Sequence, residues 1–121
     1  LRCRDQAERV GAKEEAEAQK LREDALFLQS LGCFAIVLEK IPALLAKEVS
    51  ESLEIPTIGI GAGRYTDGQV LVTHDMMGIT KDFKPRFLRR YLELFDAMGD
   101  ATRRYIADVK SNDFPSEQEQ Y

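Results

Sequence analysis

Cys33-Phe34-Ala35-Ile36-Val37-Leu38-Glu39 decides how this chain is read. Six side chains that favour burial run straight into a carboxylate, with Gly32 before them and Pro42 three positions beyond. An apolar run of that length between a glycine and a proline is the pattern of a strand buried on both faces, the habit of parallel sheets. The expected strand is Phe34–Leu38. Glu39 then stands at its carboxyl end, where open and closed α/β sheets gather their chemistry.

Working upstream, Ala18, Leu21, Ala25 and Leu28 recur at three and four residues between charged neighbours. The period predicts an amphipathic helix over Ala12–Ser30, with acids in its first turn, where the macrodipole favours them, and Gly32 just past its end. Leu1–Val10 has no apolar period and is read as a loosely held leader.

Downstream, Pro42 suits a first helical position, and Leu45, Val49 and Leu53 line one face of a helix ending before Pro56. Thr57–Ile60 is a second short strand. Helix, strand, helix, strand in this cadence means βαβ units and a parallel sheet. Val70-Leu71-Val72 is expected as a third strand, ending at Thr73-His74-Asp75. Gly61 to Gly68 is shorter than the dozen or so residues of a usual parallel crossover, so local rules favour an antiparallel hairpin here. Beyond Gly78 two apolar stripes appear, Phe87, Leu88, Tyr91, Leu92 and Phe95, then Met98, Ala101, Tyr105 and Val109 after a break near Gly99. They predict two helices packed on the sheet. Ser111–Tyr121 is polar and expected to trail over the surface. The 121 residues suit one domain, and no internal repeat is visible.

Composition narrows the function. With 44% hydrophobic and 31% charged residues, the chain has the balance of a soluble globular protein. Its net charge of −4 argues against nucleic acid as a main partner. No apolar run approaches the roughly 20 residues that span a bilayer, and the charged stretch Leu1–Lys20 does not resemble a signal peptide. Cys3 and Cys33 do not make a metal site by themselves, and Cys33 opens a core strand as a small hydrophobe. The expectation is a reduced, cytoplasmic protein.

Four features are candidates for chemistry. Glu39 suits a general base, because partial burial raises a carboxylate towards the working pH; alternatively it is a solvated residue leading into the helix at Pro42. The glycines of Ile58-Gly59-Ile60-Gly61-Ala62-Gly63 allow a ligand or anion close to the backbone, or serve close packing. Their spacing is not that of a dinucleotide fingerprint, and no Gly-Lys-Ser follows. His74-Asp75 suits a titrating pair at a strand end or a structural pair capping the next loop. Lys81, Lys84, Arg86, Arg89 and Arg90, interleaved with Phe83 and Phe87, suit a solvated helix face or a subunit contact.

Taken together, FAIVLEKIP (34–42), IPTIGIGAG (55–63), TDGQVLVTHD (66–75) and the Phe83-Lys84-Pro85-Arg86-Phe87 segment resemble the C-terminal half of the ketopantoate hydroxymethyltransferase family. The helix sequence 12–33 and the ending RRYIADVKSNDFPSEQEQY (103–121) are similar as well, so the resemblance covers roughly Ala12–Tyr121. GIGAG followed in order by TDGQ-x-LV-x-HD is a specific combination. Leu1–Val10 lies outside it, and Arg64 stands where many relatives carry asparagine.

The resemblance implies a (β/α)₈ TIM barrel in a cytoplasmic homo-oligomer, an octamer or decamer. It implies transfer of a hydroxymethyl group from 5,10-methylenetetrahydrofolate to the small-molecule substrate 3-methyl-2-oxobutanoate, giving 2-dehydropantoate on the way to pantothenate and coenzyme A. A divalent metal, usually magnesium, holds the keto acid and stabilises its enolate. The family's proton acceptor at the end of the sixth strand matches Glu39. Ile58–Ile60 and Val70–Val72 become the seventh and eighth strands, parallel in spite of the short connection.

The family's metal ligands and a substrate-contacting lysine belong to its N-terminal half, which no segment here resembles. The expectation is about three of eight strands, with the chain either a truncated copy or completed by another chain, inactive alone and without tight magnesium binding. The alternative is a non-catalytic fragment that acts through assembly contacts. A relative in the phosphoenolpyruvate mutase and isocitrate lyase superfamily fits the barrel but not the GIGAG…TDGQ segment.

Overall fold

A computed structural model describes residues 14–121, in the order α1 (Glu15–Ser30), β1 (Ile36–Glu39), α2 (Ala43–Ser52), β2 (Thr57–Ile60), β3 (Gly68–Gln69), α3 (Thr73–Met76) and α4 (Leu94–Ser111). The leader and the start of the predicted first helix lie outside the described residues. The chain forms two compact units. One runs through Leu71 and takes in Pro85–Leu88, and the other comprises Val72–Lys84 and Arg89–Tyr121.

In the first unit, α1 forms where the period predicts it, with Glu15 and Glu17 in its first turn and Ala18 and Ala25 buried. It ends in a Schellman motif. The Cys33 amide donates to the Leu28 carbonyl at 3.2 Å and the Gly32 amide to the Gln29 carbonyl at 3.0 Å. Gly32 sits at φ +90, a conformation that costs a Cβ-bearing residue strain and glycine none. Leu45, Ala46 and Val49 of α2 close over Leu38 and Ile41, while Leu21, Ile36 and Leu53 pack at the edge of this core. Pro42 proves to be the N-cap of α2, one position outside the helix. Arg22 joins the helices by donating to Glu48 at 2.8 and 3.1 Å.

The sheet has the order β1-β2-β3, and both pairings are parallel. The antiparallel hairpin favoured by local rules is therefore not what forms, for a reason of reach. Gly68 pairs beside Ile58, so the chain leaving Ile60 must return only two residues' length, about 7 Å. The seven-residue connection Gly61–Asp67 could span roughly 24 Å, and no helix is needed.

Three further expectations are corrected. The first strand is Ile36–Glu39 rather than Phe34–Leu38, and it is buried on one face only. Leu38 is 2% exposed, whereas Val37 is 60% and Phe34 88% exposed. Side chains alternate across a strand, and the helices cover only the face of Ile36 and Leu38. The third strand is Gly68–Gln69 rather than Val70–Val72. The Val70 amide still donates to the Gly59 carbonyl at 3.0 Å, but Ile60 is the last residue of β2, and the φ of +65 at Gly61 turns the chain out of the ladder where Leu71 would need a partner. His74 and Asp75 accordingly lie in the single turn of α3, not at a strand end.

In the second unit the two predicted C-terminal helices reduce to one, α4, and Gly99 lies inside it. Residues 79–93 are not helical. Pro85 disfavours helical backbone at Lys84. One Arg90 nitrogen also donates to the carbonyls of Thr80, Lys81 and Phe83 at 2.5–3.1 Å, a set of partners that ties the segment as a loop. The amides of Tyr91, Leu94 and Phe95 donate to the carbonyls of Met76, Met77 and Gly78. α4 buries none of its residues and ends at Asn112 in the left-handed region, while residues 112–121 are exposed.

Candidate active site

The site is built at the carboxyl ends of β1 and β2. Ile36, Val37, Leu38 and Glu39 pair with Thr57, Ile58, Gly59 and Ile60 in parallel register. Alternation puts Val37 and Glu39 on the sheet face opposite the buried Leu38, in line with Ile58 and Ile60. The carboxylate is thus presented at the strand tips, on the face that α1 and α2 do not cover. It is exposed. The partial burial expected of a base is not provided by the described residues.

The next residue holds this arrangement. Lys40 has φ +53, left-handed backbone that is unusual for a residue with a side chain. Its amide nonetheless donates to the Ile60 carbonyl at 2.9 Å, so the ladder is closed up to the point where the chain turns.

The glycines serve close packing. A Cβ on Gly59 would lie 2.6 Å from Thr66 Oγ1, so the β2–β3 connection crosses directly over β2. Gly63 leaves room for Ala43 at the start of α2, and Gly61 leaves room for the Phe87 ring. Side chains then tie the connection down. Gln69 Nε2 donates to the Gly63 carbonyl and to Thr66 Oγ1, each at 2.8 Å. The Thr57 amide donates to Asp67 at 2.7 Å, and Thr57 Oγ1 meets Asp67 at 3.0 Å and Ser50 Oγ at 2.6 Å. Backbone and then side-chain hydrogen bonds from Thr57 lower the Asp67 pKa. Sequence reading missed this trio. The Thr-Asp-Gly turn was its only local signal, since Thr57 and Asp67 meet through the fold.

His74 is exposed in α3, and its carbonyl accepts from the Ile79 amide at 2.8 Å. The basic cluster lies on the loop, not on a helix. Lys81 pairs with Asp96 at 3.3 Å and lies over the Phe95 ring, and Arg90 pairs with Glu93 at 3.1 Å. Lys84, Arg86 and Arg89 are exposed. Among the described residues no three His, Cys, Asp or Glu side chains gather to hold a metal ion. They do not by themselves make the metal site that the resemblance implies. Nor is any helix among them long and apolar enough to cross a membrane.

Comparison with known proteins finds relatives over nearly the whole chain. Proteins named 3-methyl-2-oxobutanoate hydroxymethyltransferase from Flavobacterium johnsoniae, Porphyromonas gingivalis and Bacteroides thetaiotaomicron are 62%, 64% and 60% identical over 112 residues. Each alignment covers 93% of this chain and 41% of the relative, so the chain spans about two fifths of the length of the curated relatives it matches. The family profile aligns with residues 6–117, beginning inside the stretch read above as an unmatched leader. With nearly all of its length aligned to that profile, the chain belongs to the ketopantoate hydroxymethyltransferase family.

Proposed function

We propose that this chain is the part of a 3-methyl-2-oxobutanoate hydroxymethyltransferase that carries the general base, Glu39. The strands of the first unit are taken as the sixth to eighth of a single (β/α)₈ domain to which all of 1–121 belongs, the rest being supplied by the remainder of the enzyme. The complete protein is taken to be a cytoplasmic homo-octamer or decamer that uses magnesium and 5,10-methylenetetrahydrofolate, with the 121-residue chain inactive by itself. The names of the relatives support the reaction. The single observation that carries Glu39 is its place at the end of β1, on the sheet face that α1 and α2 do not cover, beside Ile60.

The chemistry asked of this residue is limited. The Glu39 carboxylate takes the proton from C3 of the keto acid, and the C–H electron pair passes into the enolate. That carbon then bonds to the one-carbon unit, water supplies the hydroxyl and tetrahydrofolate leaves. A positioned carboxylate contributes about 10²–10⁴-fold to such a transfer.

The test is exchange of the C3 proton of 3-methyl-2-oxobutanoate with deuterium in the complete enzyme, without the folate donor. Glu39→Gln lowers the exchange by at least about 10²-fold. Full exchange by that variant removes Glu39 from the role. Turnover by the isolated 121-residue chain refutes the partial-chain reading.

A further inference from the structure

We infer that Phe87 is a specificity-determining residue of this site, the apolar wall that selects a branched aliphatic 2-oxo acid; this rests on the reading of Glu39 as base. Four residues distant in sequence, Pro85–Leu88, belong to the same compact unit as the sheet. The Leu88 amide donates to the Pro85 carbonyl at 3.0 Å and closes them into a turn that projects Phe87. The ring lies against Gly61, where a Cβ would come within 3.1 Å of its Cγ and Cδ1 and 3.4 Å of Lys40 Cγ.

Gly61 is the first residue past β2, and Ile60 before it is the register partner of Glu39. The ring therefore stands at the same end of the sheet as the carboxylate, one strand across, and is only partly buried. The side chains of the Glu39 face in β1 and β2, Val37, Ile58 and Ile60, are apolar and incompletely covered. A lone carboxylate among partly exposed aliphatic and aromatic groups fits a substrate whose acidic C–H is flanked by methyl groups. Among the described residues, the side chains that share this face with Glu39 in β1 and β2 are all apolar. Contact with one methyl group of a substrate is worth roughly tenfold or more in selectivity where an apolar wall meets it.

The experiment compares kcat/KM for 3-methyl-2-oxobutanoate, 2-oxobutanoate and pyruvate in the complete enzyme carrying Phe87→Ala or Phe87→Leu. Phe87→Ala lowers the preference for 3-methyl-2-oxobutanoate over 2-oxobutanoate roughly tenfold, mainly through KM, with Phe87→Leu between it and the parent. The pH profile of C3 proton exchange stays unchanged. An equal fall for all three acids, or an unchanged ratio, overturns the inference. Should Phe87→Ala fail to fold, the Phe87→Leu ratio decides. Glu39→Gln, assayed by exchange alone, reports separately on the base, so the two readings fail in different measurements.

Discussion

Thr57 and Asp67 are joined twice through one carboxylate oxygen, by the Thr57 amide at 2.7 Å and its hydroxyl at 3.0 Å. Thr57 is fully buried, and its hydroxyl also meets Ser50 on α2 at 2.6 Å. An ionised acceptor outcompetes a neutral one for the single hydroxyl proton, so Thr57 donates to Asp67, while the Ser50 hydroxyl beside it donates to the Ala46 carbonyl at 2.8 Å. One aspartate thereby links α2, β2 and the short parallel crossover.

Acid should loosen that link. Hydrogen bonds from the Thr57 amide and then its hydroxyl hold the Asp67 pKa below its ordinary value of 3.8. A carboxylate depressed in the folded state contributes stability that is fully present above its unfolded pKa and is lost as pH falls through the folded one. Asp67→Asn therefore lowers the urea midpoint at neutral pH, and the difference from the parent shrinks as pH drops below about 4. A gap that is constant with pH counts against the linkage.

Two glycine substitutions separate backbone strain from collision. A Cβ at Gly32 meets nothing within 4 Å, so Gly32→Ala costs only the left-handed backbone, about 1 kcal/mol. Gly59 has ordinary backbone, but its Cβ would meet Thr66 Oγ1 at 2.6 Å. Gly59→Ala must displace the crossover and costs about 1–3 kcal/mol. Equal, small losses in chemical denaturation would show that the crossover yields freely.

The turn after the base is open to the same kind of measurement. Lys40 holds φ +53 directly behind Glu39. Asparagine tolerates that region and a β-branched residue does not. Lys40→Val is expected to be about 1–2 kcal/mol less stable than Lys40→Asn, and to slow C3 proton exchange more. Indistinguishable variants would mean that this turn does not aim the carboxylate.

Elements whose signals are local were legible. Helix α1 needed only the spacing of Ala18, Leu21 and Ala25 and a stop at Gly32, and Leu45 and Val49 marked the inner face of α2 in the same way. The segment 79–93 was misread because its apolar spacing resembles a helix, whereas Pro85 and the donation of Arg90 to three loop carbonyls favour a loop. Val70–Val72 has strand composition, but a strand exists only as far as its neighbour offers partners, and Gly61 has already left the ladder.

The succession α1, β1, α2, β2, and a carboxylate at the end of the first strand, were determined by the sequence alone, because periodicity, caps and proline positions act over a few residues. Only the tertiary structure decided that β2 and β3 run parallel, that Thr57 meets Asp67, that Phe87 rests on Gly61, and which face of β1 presents Glu39. Those outcomes depend on what lies across a ladder or beneath a helix, where residues distant in sequence compete for the same space and the same hydrogen bonds.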